Sequence, residues 1–383
     1  VLSLIDEWGP EKVVMVSDRK NGMRGVLVID NTARGMGKGG TRMAPGLTID
    51  EVARLARVMT WKWAAADLFF GGAKAGIRAD PVSPDKEAIL RSFVRKLSNE
   101  VPREYVFGLD MGLTEYDAAI IEDELGRGTV IGTPSAIGGL PYDEWGVTGF
   151  GVAEAAETAA SHTGTKMEDA ATVVQGFGAV GRAAALRCAE LGARVVCVSN
   201  IHGAIYDPDG LDVGEVVAAY DEHGENFFDA VPRVQRLAAG DELALSADIL
   251  IPAATQDVID AETARRLDVS IVVEGANLPT SAESQSILAS RDIVVVSDFI
   301  ANAGGVIAGA FAMDARGSAF ATNPSDVFDA VSTRIRANTL TVLETSTRTR
   351  ETTHVTARNI SQQRVLAAMD AKSRSSRLVD LKV

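Results

Sequence analysis

Two cysteines in 383 residues are too few for a disulfide framework, and Cys188 and Cys197 lack the spacing of metal ligands. Both are expected as small buried hydrophobes, with no metal site. No stretch approaches the ~18 uninterrupted apolar residues of a membrane span. The first residues also lack the basic-then-apolar pattern of a secretory signal, so a soluble, cytoplasmic protein is expected. Basic runs are missing as well. With 38 Lys and Arg against 52 Asp and Glu, the formal charge of −14 argues against nucleic acid as a partner, since phosphate binding needs clustered cations. Lysine is the scarcest charge: ten against 28 arginines, a balance that fits a high-salt host and a GC-rich genome equally well. Three of those ten, Lys38, Lys62 and Lys74, fall within one short stretch.

What is present is enough apolar residue, 46%, for two domains with separate cores. Val13 to Val16, a turn at Asp18-Arg19-Lys20-Asn21-Gly22, and Gly25 to Asp30 read as a hairpin. Thr48-Ile49-Asp50-Glu51 has capping-box spacing, and Val52, Leu55, Val58, Met59 and Trp63 recur at helical intervals. Ser83-Pro84 is expected to cap a second helix running through Leu97, and Tyr105-Val106-Phe107 to form a short buried strand delivering Asp110. From Val147 the texture changes to short apolar strands alternating with Gly/Ala-rich helices, the pattern of a parallel α/β sheet. The strands are expected at 171–174, 194–199, 248–251, 270–273 and 293–296, with a helix over 180–191 and a polar helical tail after Asn323.

Strand-like Thr172 to Gln175 runs directly into Gly176-Phe177-Gly178-Ala179-Val180-Gly181, and a helix follows. In this context the first glycine permits the turn, the second lets backbone approach a pyrophosphate, and the third lets helix pack on strand. NAD or NADP is therefore the expected cofactor. The acidic residue expected about 20 positions on, to hold the ribose 2′-hydroxyl, is replaced by Asn200. A neutral amide leaves both cofactors admissible, and His202 reads as a surface-loop residue.

The run Leu68-Phe69-Phe70-Gly71-Gly72-Ala73-Lys74-Ala75-Gly76-Ile77-Arg78-Ala79-Asp80-Pro81 carries the clearest chemistry. Glycines flanking a lysine let backbone approach a ligand and shield the amine from water, which lowers its pKa toward that of a useful base. On residues alone, a glycine-rich loop with one snorkelling lysine is an equally good description. The run resembles the active-site signature of the glutamate/leucine/phenylalanine/valine dehydrogenase family. Lys38-Gly39-Gly40-Thr41-Arg42-Met43 and Met59-Thr60-Trp61-Lys62 resemble that family's two substrate-binding segments, with successive lysines spaced 24 and 12 positions apart. The likeness continues through Ile251-Pro252-Ala253-Ala254, Glu274-Gly275-Ala276-Asn277-Leu278-Pro279-Thr280 and Asn302-Ala303-Gly304-Gly305-Val306.

The resemblance implies an α/β fold with an N-terminal substrate-binding and oligomerisation domain (1–146), a Rossmann domain (147–320) and C-terminal helices (321–383) returning toward the first domain. A cleft between the domains would close for hydride transfer. It implies a homo-oligomer, with a hexamer favoured. It further implies that Lys62 binds the substrate α-carboxylate, Lys74 activates water, and Asp110 moves protons to and from the amino nitrogen. Lys38, Gly39, Val306, Gly309 and Asn302 would line the amino-acid site. Thr148, Asn277, Asn302, Ala253 and Ala254 would join Gly176 to Gly181 and Asn200 around the cofactor. Lys38 points to glutamate, because a buried lysine facing an apolar substrate would be left unpaired. Gly309 points the other way: the glutamate enzymes often carry a serine there. The short stretch before the first hairpin also looks like the leucine-type enzymes. The expected reaction is deamination of L-glutamate to 2-oxoglutarate and ammonia. The alternatives are a branched-chain or aromatic amino-acid dehydrogenase, or a non-catalytic member serving as a regulatory partner.

Overall fold

Period-two alternation builds the first sheet. Strand β1 (Lys12–Asp18) pairs antiparallel with β2 (Met23–Asn31), Val13 opposite Val28 and Val16 opposite Gly25, so the hairpin forms as expected. In β2, Leu27 and Ile29 enter one hydrophobic cluster while Val26 and Val28 enter another on the opposite face. Burying each such side chain contributes about 1.5–3 kcal/mol, so a one-residue slip that exchanged the faces would be strongly disfavoured. The strands β3 (Gly37–Lys38), β4 (Thr41–Met43), β5 (Gly71–Ile77) and β6 (Tyr105–Val106) complete a sheet ordered β1-β2-β5-β3-β6, with β4 beside β5. Helix α1 (Ile49–Ala65) buries Val52 and Ala56 against the Val26 and Val28 face. Helices α2 (Lys86–Lys96) and α3 (Glu115–Leu125) bring Leu90, Phe93 and Ile121 into the cluster of Leu27 and Ile29.

Two helix starts refine the expectations. Thr48 caps α1, its hydroxyl accepting from the Glu51 amide at 3.2 Å, but the Glu51 carboxylate turns to Arg42. Helix α2 begins at Lys86 behind Asp85, not at Ser83-Pro84; Ser83 instead accepts from the Asp85 amide at 3.2 Å, closing a turn before the helix.

The second sheet follows α4 (Val147–Thr163). Its elements are β7 (Ala171–Gln175), α5 (Ala179–Glu190), β8 (Arg194–Asn200), β9 (Gly203–Tyr206), α6 (Val213–His223), β10 (Gln235–Leu237) and β11 (Ser246–Pro252). Then come α7 (Ala261–Arg266), β12 (Asp268–Val273), α8 (Ala282–Ser290), β13 (Val294–Val296) and α9 (Asp298–Ala301). The strand order is β10-β9-β8-β7-β11-β12-β13, parallel from β8 to β13, with β9 and β10 as an antiparallel extension. The five parallel strands are those the apolar runs announced. The chain leaves β7 for β8 on one side, while β11 lies on the other, so the β7/β11 junction is the topological switch point.

Helices α10 (Gly304–Ala315), α11 (Pro324–Thr349) and α12 (Thr353–Ala371) end the fold. This computed structural model describes residues 2–373, in two units. The first takes the described residues up to Tyr142, Ala308–Pro324 and those from Ile360 on; the second takes Asp143–Ile307 and Ser325–Asn359. In the first, Val365 and Met369 of α12 pack on Ala33 and Ala64. In the second, the buried carboxylate of Glu154 on α4 binds Arg187 of α5 at 2.8 Å and Ser332 and Arg336 of α11, so its desolvation is offset by charge-assisted bonds. Cys188 and Cys197 are both buried, and burial pushes the Cys188 thiol up to about 12. Among the described residues no helix is long and apolar enough to cross a membrane.

Candidate active site

Gly71–Ile77 is a fully buried strand, which decides against the loop that the residues alone allowed. Alternation explains its composition. Ala73, Ala75 and Ile77 join the core beneath α2 and α3, leaving Gly72, Lys74 and Gly76 on the face toward α1. A Cβ at Gly72 would strike Thr60 and the Ala56 carbonyl, and one at Gly76 would lie 2.6 Å from the Val52 side chain. The glycines thus let the helix settle directly on the strand, and Lys74 between them is buried as a result.

The Lys74 ammonium contacts the Asp110 carboxylate at 2.7 Å. Thr41 and Met43 donate to the carbonyls of Gly108 and Met111, at 2.8 and 2.9 Å, holding the segment after β6 alongside β4. The same carboxylate oxygen accepts from Arg42 Nε at 3.0 Å, and Arg42 reaches Glu51 at 2.8 Å. Burial pulls the Lys74 pKa down, more than Asp110 raises it, and the Arg42 charge lowers it further. Burial acts to raise Asp110, but Lys74 and Arg42 outweigh it and hold the carboxyl below its ordinary range. The pair is therefore an ionised carboxylate beside an amine made readier to release a proton.

Lys38 lies on β3, paired on one side with β5 and on the other with β6. Its ammonium donates to the carbonyls of Val106 and Phe107, both at 3.0 Å, and no carboxylate among the described residues forms an ion pair with it. Burial, then the charges of Lys74 and Arg316, pull its pKa down to about 7. The Lys38 carbonyl accepts from the Trp63 indole at 3.0 Å, tying β3 to α1. A Cβ at Gly39 would strike the Ala73 carbonyl and touch Met59, one helical turn before Lys62. Lys62 is half-buried in the last turn of α1. Gly309, on α10, has room: a Cβ there would meet Ile131 and Trp63 at 3.8 Å. The structure thus brings Lys38 and Lys74 onto neighbouring strands, with Asp110 beyond the end of β6 against Lys74 and Gly39 against Met59 of α1.

The other group of expected residues lies in the second unit, while Gly309 belongs to the first. Gly176 turns at φ +90°, with Ala254 backbone 2.6 Å from where its Cβ would be. A Cβ at Gly181 would strike the Gly176 carbonyl, whereas one at Gly178 meets nothing within 4 Å. Gly178 and Ala179 are exposed at the start of α5, Val180 is half-buried, and Phe177 is buried. Tight turn, open backbone and close helix packing are the three features a pyrophosphate needs, so this cradle fits a dinucleotide. Ala253 and Ala254 follow β11, and Ala276 and Gly275 both donate to the Pro252 carbonyl. Asn302 donates to Asn277 at 3.1 Å and to the Gly275 carbonyl at 3.3 Å, knitting these loops together. Thr148 stands in the first turn of α4, and half-buried Val306 in that of α10. Asn200 ends β8, with exposed His202 just beyond.

The model of the Glu/Leu/Phe/Val dehydrogenase dimerisation domain matches residues 10–127, and that of Glutamate/Leucine/Phenylalanine/Valine dehydrogenase matches residues 138–373. The chain belongs to this family. It is 40% identical to the glutamate dehydrogenase of Thermotoga maritima over 74% of this chain and 70% of that protein. It is 37% identical to the NAD-specific glutamate dehydrogenase A of Halobacterium salinarum, over 72% of this chain and 65% of that protein. The crystal structure of the hetero-hexameric glutamate dehydrogenase of Thermus thermophilus, in its Leu-bound form, superposes with a TM-score of 0.83 at 31% identity. That match covers 97% of this chain and 92% of the other.

Two residues of this dehydrogenase escaped the reading of its sequence. The signal of Arg42 is faint, a lone cation between buried Thr41 and Met43 on a short strand. Glu225, which touches Asn200, left none, because it comes from a different element.

Proposed function

We propose that this chain catalyses the reversible oxidative deamination of L-glutamate: glutamate, NAD(P)+ and water give 2-oxoglutarate, ammonium, NAD(P)H and a proton. The observation that carries it is the buried Lys38 ammonium, held by carbonyls alone beside a Lys74–Asp110 pair that is already satisfied. A glutamate γ-carboxylate is the anion that Lys38 lacks. Gly309 offers no hydroxyl to share that recognition. The names of the relatives support the same substrate and a nicotinamide cofactor.

In this reading Lys62 binds the α-carboxylate. Ionised Asp110 takes a proton from the α-ammonium, which frees the nitrogen lone pair to push hydride off Cα. The bound nicotinamide supplies the hydride acceptor. Lys74, with its lowered pKa, removes a proton from the water that attacks the resulting iminium carbon, and Asp110 returns its proton to the departing nitrogen. Asn302 and Val306 border the substrate. The fingerprint from Gly176 to Gly181, with Ala253, Ala254, Asn277, Asn302 and Thr148, holds the cofactor. A homo-oligomer, hexameric by preference, and a cytoplasmic location complete the reading, and the dimerisation-domain match supports the assembly. A panel of amino acids with both cofactors tests it: glutamate should be turned over best, and turnover of leucine with none of glutamate would overturn the Lys38 argument.

A further inference from the structure

The end of β8 is where an acidic side chain ordinarily meets the adenosine ribose of a dinucleotide. Asn200 stands there, and its side chain is fully engaged. Both amide hydrogens go to Glu225: Nδ2 donates to the Glu225 main-chain oxygen and to its Oε2, each at 2.8 Å. The amide oxygen accepts from the His202 backbone at 2.8 Å. An amide nitrogen has two hydrogens to give, so Asn200 keeps none for a 2′-phosphate. What it does instead is hold a carboxylate at the strand end.

Glu225 lies 25 residues beyond Asn200, in a 3-10 helix over Gly224–Ala230. Its other oxygen accepts from the Tyr220 hydroxyl at 3.0 Å. Its helix is fastened to the fingerprint itself, Phe227 stacking on Phe177 with ring centroids 5.2 Å apart, and Tyr220 of the preceding α6 packs edge-on to the same ring at 5.9 Å. The carboxylate is thus fixed from two sides yet exposed, with a second lone pair on each oxygen. Arg182 lies 4.4 Å from the Tyr220 ring centroid, and its Nη1 pairs with Asp221 at 2.6 Å.

We propose that Glu225 selects NAD over NADP, its carboxylate accepting from the adenosine ribose hydroxyls in place of the acid that β8 lacks and repelling a 2′-phosphate. This rests on the dinucleotide reading of the fingerprint. A 2′-phosphate adds nearly two negative charges beside a carboxylate, and Asn200 has no amide hydrogen left to offer it.

The test uses the purified full chain. AMP and 2′,5′-ADP are titrated calorimetrically, and kcat/KM is measured with NAD+ and NADP+. Wild type should favour the ligands without the 2′-phosphate by about ten-fold or more, and that preference should shrink as salt rises, because the charges are exposed. Glu225→Gln should reduce the preference about ten-fold, weakening NAD+ and strengthening NADP+, and Glu225→Lys should reverse it. Equal binding of AMP and 2′,5′-ADP by wild type, or an unchanged ratio in both variants, overturns the proposal. If glutamate is not turned over, the calorimetry still decides, so the substrate reading and this one fail separately. If neither AMP nor 2′,5′-ADP binds, the dinucleotide reading falls and this inference with it.

Discussion

Lys38 and Lys74 come from adjacent strands of one sheet, both buried, yet they meet opposite surroundings: Lys74 faces a carboxylate, whereas Lys38 faces two peptide carbonyls. Burial lowers the pKa of both amines, but only Lys74 has an opposite charge working against that. Carbonyl dipoles offset part of the desolvation of Lys38 and leave its charge unneutralised, with Lys74 and Arg316 adding repulsion. A buried charge without a counter-ion is costly. A substrate carboxylate would therefore do for Lys38 what Asp110 already does for Lys74. In the proposed reaction one lysine serves the chemistry and the other recognition.

Removing the carboxylate from the paired lysine should have the largest effect. Asp110→Asn keeps the shape but removes the proposed proton acceptor and leaves Lys74 without its counter-ion, so kcat is expected to fall by about 10³-fold or more. Every substrate that the enzyme accepts should suffer alike. Steady-state kcat on protein whose circular dichroism matches wild type checks this. A loss under ten-fold would mean that the ion pair serves the fold instead of the reaction.

Lys38→Met should act on one substrate class only. Losing the partner of a buried γ-carboxylate is expected to lower kcat/KM for glutamate by about 10²-fold while activity with an apolar amino acid holds or rises. Below pH 7, thermal stability of the free protein should increase, since a buried charge with neutral partners is exchanged for a packed thioether. Undiminished kcat/KM for glutamate in the folded variant would make Lys38 structural. The contrast between the two lysines would then collapse.

Of this arrangement, the sequence showed most where a pattern has one cause. The parallel strands around β7 were legible because a strand buried on both faces must be a continuous apolar run, and the glycines of 176–181 because turn, phosphate and helix packing each require one. The segment around Lys74 was ambiguous for a physical reason: glycines that admit a helix onto a strand look, one residue at a time, like glycines in a loop. Only the alternation of Gly72, Lys74 and Gly76 against Ala73, Ala75 and Ile77 separates the two. Pairings between distant elements, such as Arg42 with Asp110 or Asn200 with Glu225, have no local signature, because they depend on how strands and helices meet.

The smallest expected effect is a pH dependence carried by Lys38. In the free enzyme its ammonium titrates at about 7, well below the ordinary value of a lysine. A bound γ-carboxylate favours the charged form, so glutamate binding raises that pKa. Above pH 7 the free amine has to take up a proton as glutamate binds, and KM for glutamate should rise toward ten-fold per pH unit, with little change below. Folding responds with the opposite sign. The unfolded lysine keeps its proton up to about 10.5 while the folded one has released it, so between these values the unfolded state binds more protons. The contribution of Lys38 to stability therefore grows as pH rises and is lost as pH falls through 7. Opposite slopes of glutamate affinity and thermal stability across that window, both abolished by Lys38→Met, would tie the two observations to one amine. Parallel slopes, or slopes that persist in the variant, would assign them to another group.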